Sequence, residues 1–561
     1  MLEYIYPTVR VSLLFALACV TTAEAGAQFR IYNFDEGTAP RRGFGQSVAA
    51  PGDLNNDGYE DVLIGSPGMF FGGNANVGRA WVKSGRDGRT LYYLGGDNVG
   101  DQFGHSVTGV GDINKDGNLD FAVGAPGGEY VRVFSGPDGA LLYDLTSPPA
   151  PIFFYSPHNF GFSVAAAGDV NADGYPDIIV GESQLARIRA GKVTQTGGAF
   201  VISGKDGSLI HAFHGGTSGS LFGYSVAGAG DVNGDGYDDV LIGVPGRSCI
   251  DQGQVSAGCG RVWLFSGYDG LDLNVFYSYS SGAQLGWSVA NAGDVDQDGQ
   301  DDFVFGAPSG LGGGSSAYVY SGRTFGLIYK FGGAVGATLL GFSVATAGDV
   351  NNDGYPDILI GSPGEQSANG SVGAARIRSG RDGSILFEIK GNTTNGRIGW
   401  SVAGGDINRD GTPDFIVGSE SGNPVRVLSA NRLSLWSEVQ ELPSWRAGTQ
   451  PLHIDAGQRH GGRWYSIFGT VSGTFPGTDF GGVNVPINID SWTLAELYYS
   501  NTSVFTGFMG LLDPLGQASA SLNIPTGLPA GLGISVHHAY LVYGYTLVPH
   551  MASNAVPLYI R

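Results

Sequence analysis

The chain of 561 residues carries a formal net charge of −21 at pH 7, with 14% charged residues, 96 glycines, 26 tyrosines and 30 phenylalanines. So acidic a surface repels phosphate backbones and anionic lipid, which excludes nucleic acid and the membrane surface as expected partners and leaves divalent cations as natural ones. Abundant glycine and aromatics without long helical periodicity point to short strands joined by tight turns.

Residues 1–25 read as an export signal. Arg10 precedes an apolar core from Val11 to Val20, and Ala23-Glu24-Ala25 offers small residues for cleavage, so the mature chain is expected to begin near Gly26. Ten apolar residues are too few to cross a bilayer, and no other segment reads as transmembrane, so the expected location is secreted, extracellular or cell-surface. Cys19 leaves with the signal. Cys249 and Cys259 remain, with nine residues between them in RSCIDQGQVSAGCGRV. No His or third Cys stands nearby to complete a zinc set, so a disulfide is expected to staple this loop.

The next apolar stretch, FRIYNF at Phe29–Phe34, resembles the last strand of a repeat unit without the rest of it. Seven copies of one unit follow. The nonapeptide DLNNDGYED at Asp53 returns as DINKDGNLD at Asp112, DVNADGYPD at Asp169, DVNGDGYDD at Asp231, DVDQDGQDD at Asp294, DVNNDGYPD at Asp349 and DINRDGTPD at Asp406. The starts are 59, 57, 62, 63, 55 and 57 residues apart, a period that fits a four-stranded propeller blade enlarged by its loops. Before each loop stands an aromatic or aliphatic residue, Gly, a variable residue, Ser and Val, as in FGQSV at Phe44. After it comes a short apolar run such as DVLIGSP, expected to be a strand buried on both faces. A further strand ends in Ser-Gly-x-Asp-Gly in most copies, as in VRVFSGPDG, which marks a hairpin turn into a fourth strand. The fourth strand of the last blade has two candidates, Phe29–Phe34 and LSLWSE at Leu433. Either one closes the ring and removes exposed sheet edges.

Residues 441–561 lose the repeat. They alternate apolar and polar residues in segments such as RWYSIFGTVSG and HHAYLVYGYTLV, separated by Gly and Pro, and a small β-sandwich-like domain is expected there. The fold class is therefore all-β: a seven-bladed β-propeller over 29–440, followed by that module.

The Phe-Gly and Gly-Ala-Pro landmarks resemble the FG-GAP repeats of the integrin α-subunit propeller over roughly residues 29–440. The departures are Leu285, Leu340 and Ile398 in place of the Phe of the last three copies, and Ser183 and Glu420 in place of the Pro. The resemblance implies calcium loops between the first and second strands and an adhesion or interaction role.

The loop residues make the same case chemically. Ca²⁺ takes six to eight hard oxygens at flexible distances, supplied by alternating positions of a tightly curved chain. Positions 1, 3, 5 and 9 carry carboxylates or amides, and position 7 offers its backbone carbonyl. The candidate ligands are Asp53, Asn55, Asp57, Tyr59 and Asp61 in the first copy and Asp112, Asn114, Asp116, Asn118 and Asp120 in the second. They are Asp169, Asn171, Asp173, Tyr175 and Asp177 in the third, and Asp231, Asn233, Asp235, Tyr237 and Asp239 in the fourth. The fifth copy supplies Asp294, Asp296, Asp298, Gln300 and Asp302, and the sixth Asp349, Asn351, Asp353, Tyr355 and Asp357. The seventh supplies Asp406, Asn408, Asp410, Thr412 and Asp414. Up to seven Ca²⁺ are expected. An EF-hand would require a Glu at position 12, which in the first copy is Ile64 inside an apolar strand.

Up-and-down strand order sets these loops and the Ser-Gly-x-Asp-Gly turns on one face and the irregular connections on the other. A ligand patch for a protein or glycan is expected among Phe70, Phe71, Phe153, Phe154, Tyr155, Arg187 and Arg189, with Lys192 beside them. No catalytic residue is identified. The Ser of Phe-Gly-x-Ser-Val recurs in every copy, where a nucleophile should be singular, and neither GxSxG nor HExxH occurs. An extracellular hydrolase or lyase, or a carbohydrate-binding accessory of one, is the alternative reading.

Overall fold

The computed structural model describes residues 29–34, 43–68, 77–148, 158–189, 192–251, 254–309, 314–333, 338–367, 370–391, 393–420 and 424–430, and separate strands and turns between residues 435 and 560. Strands and turns account for all of the regular structure among these residues, with no helix.

Seven four-stranded antiparallel sheets form the propeller. Blade one comprises Ser47–Ala49, Val62–Ser66, Arg79–Lys83 and Thr90–Gly95. Blade two comprises Ser106–Gly111, Asp120–Ala125, Tyr130–Ser135 and Leu141–Thr146. Blade three comprises Phe160–Gly168, Asp177–Glu182, Gly198–Ile202 and Leu209–His214. Blade four comprises Ser225–Gly230, Asp239–Gly243, Arg261–Phe265 and Asp272–Tyr277. Blade five comprises Ser288–Gly293, Asp302–Ala307, Ser316–Tyr320 and Leu327–Gly332. Blade six comprises Val344–Gly348, Asp357–Ser362, Ala374–Arg378 and Ile385–Lys390. Blade seven takes Ile398–Gly405, Asp414–Ser419 and Val425–Ser429 from its own copy and Phe29–Phe34 from the start of the chain. Three blades carry an extra two-stranded hairpin between their second and third strands: Ala186–Arg189 with Lys192–Gln195, Cys249–Asp251 with Gln254–Ser256, and Gln366–Ser367 with Gly370–Ser371.

The ring closes through Phe29–Phe34, which pairs antiparallel with Val425–Ser429. The other candidate, around Leu433, is drawn elsewhere: Leu435 and Trp436 pair with Ile454 and His453 of a sheet outside the propeller. That sheet is four-stranded, and a second sheet of six strands is built from segments between Glu441 and Ile560, in keeping with the expected β-sandwich-like module.

The apolar runs after the loops are buried at every position in all seven blades, as strands covered on both faces must be. Their side chains fill a core between successive blades. Leu63 and Val82 of blade one meet Phe103, Val107 and Phe121 of blade two. Val62 and Trp81 meet Ile416, Val425 and Val427 of blade seven across the closure. The Phe of each Phe-Gly landmark sits in one of these seams, and Leu285, Leu340 and Ile398 are as buried as the Phe residues they replace, each 1% exposed. An aliphatic side chain of similar volume fills the same seam.

Candidate metal loops and an axial aromatic ring

In each loop the position-1 Asp binds the turn that follows it. Asp53 accepts from the amides of Asp57 (3.0 Å) and Gly58 (2.7 Å), Asn55 Oδ1 accepts from Asp57 N, and Asp57 Oδ1 accepts from Tyr59 N. The pattern repeats around Asp112, Asp169, Asp231, Asp294, Asp349 and Asp406. It requires two left-handed residues. Position 6 is Gly in all copies, with φ between 83° and 90°. Position 4 is left-handed too, although it is Asn56, Lys115, Ala172, Gln297, Asn352 and Arg409 in six of the copies. No residue type marks that position, so the sequence does not reveal it.

The position-9 carboxylates are fully buried. Asp61 accepts from Leu54 N (3.0 Å) within its loop and from Gly85 N (3.1 Å) in the Ser-Gly-x-Asp-Gly turn, tying the two together. Asp120, Asp177, Asp239, Asp302 and Asp357 make the same pair of bonds. Blade seven lacks that turn motif, and Asp414 instead holds Asn408 through its backbone and side-chain amides. Each carboxylate oxygen keeps a second lone pair, so these bonds leave acceptor capacity for a cation. Burial pushes the Asp61 carboxyl up to about 7 and those of Asp120, Asp177, Asp239, Asp302 and Asp357 up to about 6.

Loop five is the most acidic. Ligand oxygens of Asp294, Asp296 and Asp302 lie within 4.8 Å of one another, and burial, followed by the charges of Asp298 and Asp294, raises the Asp296 carboxyl above its ordinary range. Convergent hard oxygens whose mutual repulsion is unrelieved fit a divalent cation.

The loops also touch around the ring. Asn56 Nδ2 donates to Asn118 Oδ1 at 2.5 Å, Lys115 lies 4.2 Å from the Tyr175 ring centroid, Gln297 Nε2 donates to Gly354 O at 2.8 Å, and Asn352 Nδ2 donates to Thr412 Oγ1 at 3.3 Å. Each contact runs from position 4 of one loop to position 6 or 7 of the next.

On the opposite face, the Ser of each Phe-Gly-x-Ser-Val donates to the Gly carbonyl of the next blade's Phe-Gly. The seven bonds, from Ser47, Ser106, Ser163, Ser225, Ser288, Ser343 and Ser401, measure 2.7–3.1 Å. Every one of these hydroxyls is committed to an inter-blade bond, which accounts for its recurrence. Each bond passes over a second-strand glycine, such as Gly65 or Gly306, where a β-carbon would overlap both the Ser Oγ and the accepting carbonyl.

The variable residue beside that Ser faces the axis and proves to be aromatic in six copies. His105, Phe162, Tyr224, Trp287, Phe342 and Trp400 form a chain of ring contacts with centroids 4.6, 4.9, 4.6, 5.4 and 4.3 Å apart. The seventh place is Gln46. The rings are half-buried, at the start of each blade's first strand, on the face of the irregular connections. His105 Nδ1–H donates to the Phe162 carbonyl at 3.0 Å, and burial lowers the imidazole pKa, which keeps it neutral. Sequence reasoning missed this site. The available signal was aromatic enrichment at one fixed offset from seven Ser residues.

The expected ligand patch falls on residues whose side chains are not described. Phe70, Phe71, Phe153, Phe154 and Tyr155 lie outside the described residues, as does the export signal at 1–25. Arg187 and Arg189 are placed on the Ala186–Arg189 strand of the blade-three hairpin, where only their backbone is described. The expected disulfide is present: Cys249 and Cys259 are bridged, with their Cα atoms 5.7 Å apart, beside the blade-four hairpin.

The family model of the FG-GAP repeat matches residues 44–82, 160–202 and 222–265, and that of the FG-GAP-like repeat matches 112–180, 294–360 and 349–417. Among curated proteins, the chain is similar to integrin alpha-V of Gallus gallus (33% identity, covering 40% of this chain and 22% of the relative). It is also similar to integrin alpha-5 of Xenopus laevis (31%, covering 37% and 20%) and integrin alpha-IIb of Homo sapiens (31%, covering 47% and 26%). The chain thus spans about a fifth to a quarter of the length of the curated relatives it matches.

Proposed function

Because the chain belongs to the FG-GAP repeat family, we propose that it is a secreted or cell-surface, calcium-binding propeller that acts as an adhesion or interaction scaffold. Its partner is a protein or glycan docked on the face away from the Asp loops. The observation that carries this reading is the arc of half-buried rings from His105 to Trp400 on that face. Aromatic faces held in fixed positions on a rigid scaffold supply large contact area at little entropic cost.

The seven loops have a different role in this reading. Ca²⁺ held by positions 1, 3, 5, 7 and 9 would neutralise three or four carboxylates per loop and fix the loops that touch around the ring, keeping the opposite face rigid. Seven dications would bring the formal charge from −21 to −7.

The test is capture on panels of immobilised proteins and glycans, with calcium and with chelator, comparing the native chain with Trp287→Ala and Phe342→Ala. The expected result is specific capture that falls at least tenfold in both variants while they melt as folded proteins. Equal capture by native and variant chains would move the docking site away from the axis.

A further inference from the structure

Blade four carries a cavity of about 410 Å³ at its rim, on the face of the irregular connections, and Arg247 and Arg261 line it. Arg261 begins the third strand, with its guanidinium 4.7 Å from the centroid of Tyr277 on the fourth. Arginines two residues further along the third strands of two other blades are neutralised by a carboxylate on the fourth. Arg132 meets Asp144 in blade two, and Arg376 meets Glu388 in blade six at 2.7 Å. Across the strand from Arg261 stands Tyr277, and among the described residues no carboxylate pairs with either Arg247 or Arg261. Two unpaired guanidinium groups facing one cavity are unexpected in a chain of net charge −21. Burial, and then the charge of Arg261, lowers the Arg247 pKa.

We propose that this cavity binds an acidic sugar, a single uronic-acid-type ring whose carboxylate sits between Arg247 and Arg261. The guanidinium fork matches a carboxylate with two parallel hydrogen bonds. The aromatic walls choose a sugar over other carboxylates. Tyr277 and Tyr279 are 45% and 66% exposed, offering flat faces to the apolar side of a pyranose, while Thr217 and Ser248 offer hydroxyls to its rim. The volume suits one or two rings. The negative field of the whole chain opposes an extended polyanion, which favours one acidic residue at a chain end. The Cys249–Cys259 bridge fixes the hairpin that forms one wall, with Cys249 lining the cavity. The site is remote from the axial rings, so its failure would leave the proposed docking face standing, and the reverse holds as well.

The test is calorimetric titration of the full calcium-saturated chain with methyl glucuronide, with methyl glucoside, which lacks only the charge, and with an acidic tripeptide, acetyl-Glu-Glu-Glu-amide. Saturable glucuronide binding at least tenfold tighter than either other probe is expected. Arg247→Gln and Arg261→Gln should each weaken it at least tenfold with an unchanged melting temperature, and Arg247→Lys should restore part of the loss. If one Gln variant fails to fold, the other carries the test. Absence of glucuronide saturation, equal binding of the glucoside, tighter binding of the tripeptide, or native affinity in a folded Gln variant would each overturn the assignment.

Discussion

Ser401 Oγ donates to the Gly45 carbonyl at 2.7 Å, bonding the last blade to the first across 356 positions of sequence. Gly418 lies beneath this bond, and a β-carbon there would overlap both partners. Ser401→Ala should cost about 1 kcal/mol, the usual net value of one hydrogen bond. Gly418→Ala should cost more, about 1–3 kcal/mol, because backbone has to move. Thermal unfolding of both variants in calcium should place Gly418→Ala below Ser401→Ala and both below the native chain. A Gly418→Ala chain that melts like the native one would refute this account of the glycine.

Calcium should raise the melting temperature of the chelated chain. A site with a dissociation constant near ~0.1 mM contributes about 1.4 kcal/mol at 1 mM Ca²⁺. Asp294 accepts from Asp298 N and Gly299 N and belongs to the tightest carboxylate cluster. Asp294→Ala should therefore lower the calcium stoichiometry measured by titration by one. A stoichiometry identical to native would remove loop five from the metal reading.

Glu182 gives a pH signature unrelated to the loops. It replaces a small residue at the end of the second strand of blade three, is fully buried, and accepts from Ser147 Oγ at 2.9 Å with its other oxygen unpartnered. Burial, with the Glu129 charge adding to it, pushes its carboxyl up to about 8. A carboxyl raised in the folded state favours folding while protonated, so its contribution is complete below about pH 4.5 and is lost as pH rises to about 8. In calcium-saturated protein, Glu182→Gln should be less sensitive to pH than native over that window, by up to about 1.4 kcal/mol per pH unit. Parallel pH profiles would count against it.

The Cys249–Cys259 bridge closes a short loop at the rim of one blade. Its removal by Cys249→Ser with Cys259→Ser should cost at most about 3 kcal/mol, the loop-closure limit for so short a segment. The effect should be local, with proteolysis near residues 249–259 accelerating more than global unfolding. Loss of the whole propeller fold in the double variant would contradict this.

Blade number, loop positions and inter-blade burial were legible because each recurs seven times, and repetition separates a structural requirement from chance. The recurrent Ser was recognised as structural, yet its partner could not be read, because the Gly45 carbonyl and its equivalents leave no side-chain signature. Ring closure was undecided for a related reason. Phe29–Phe34 and the stretch at Leu433 both alternate as strands, and what distinguishes them is pairing with Val425–Ser429, a contact far from local in sequence. The axial rings are not legible because their residue types differ from copy to copy, nor is the unpaired Arg261, because neutralisation depends on which residue stands across the strand.

Phe29–Phe34 is made before any blade, but its pairing partner Val425–Ser429 is made about 400 residues later. No growing chain can therefore own a finished disc. Until synthesis passes Ser429, the outer edge of blade seven does not exist, and the seam that joins Trp81 to Val427 stays open to solvent. The circle is a late and non-local event, so slow assembly and protection of the half-built apolar faces are built into the order in which the strands emerge.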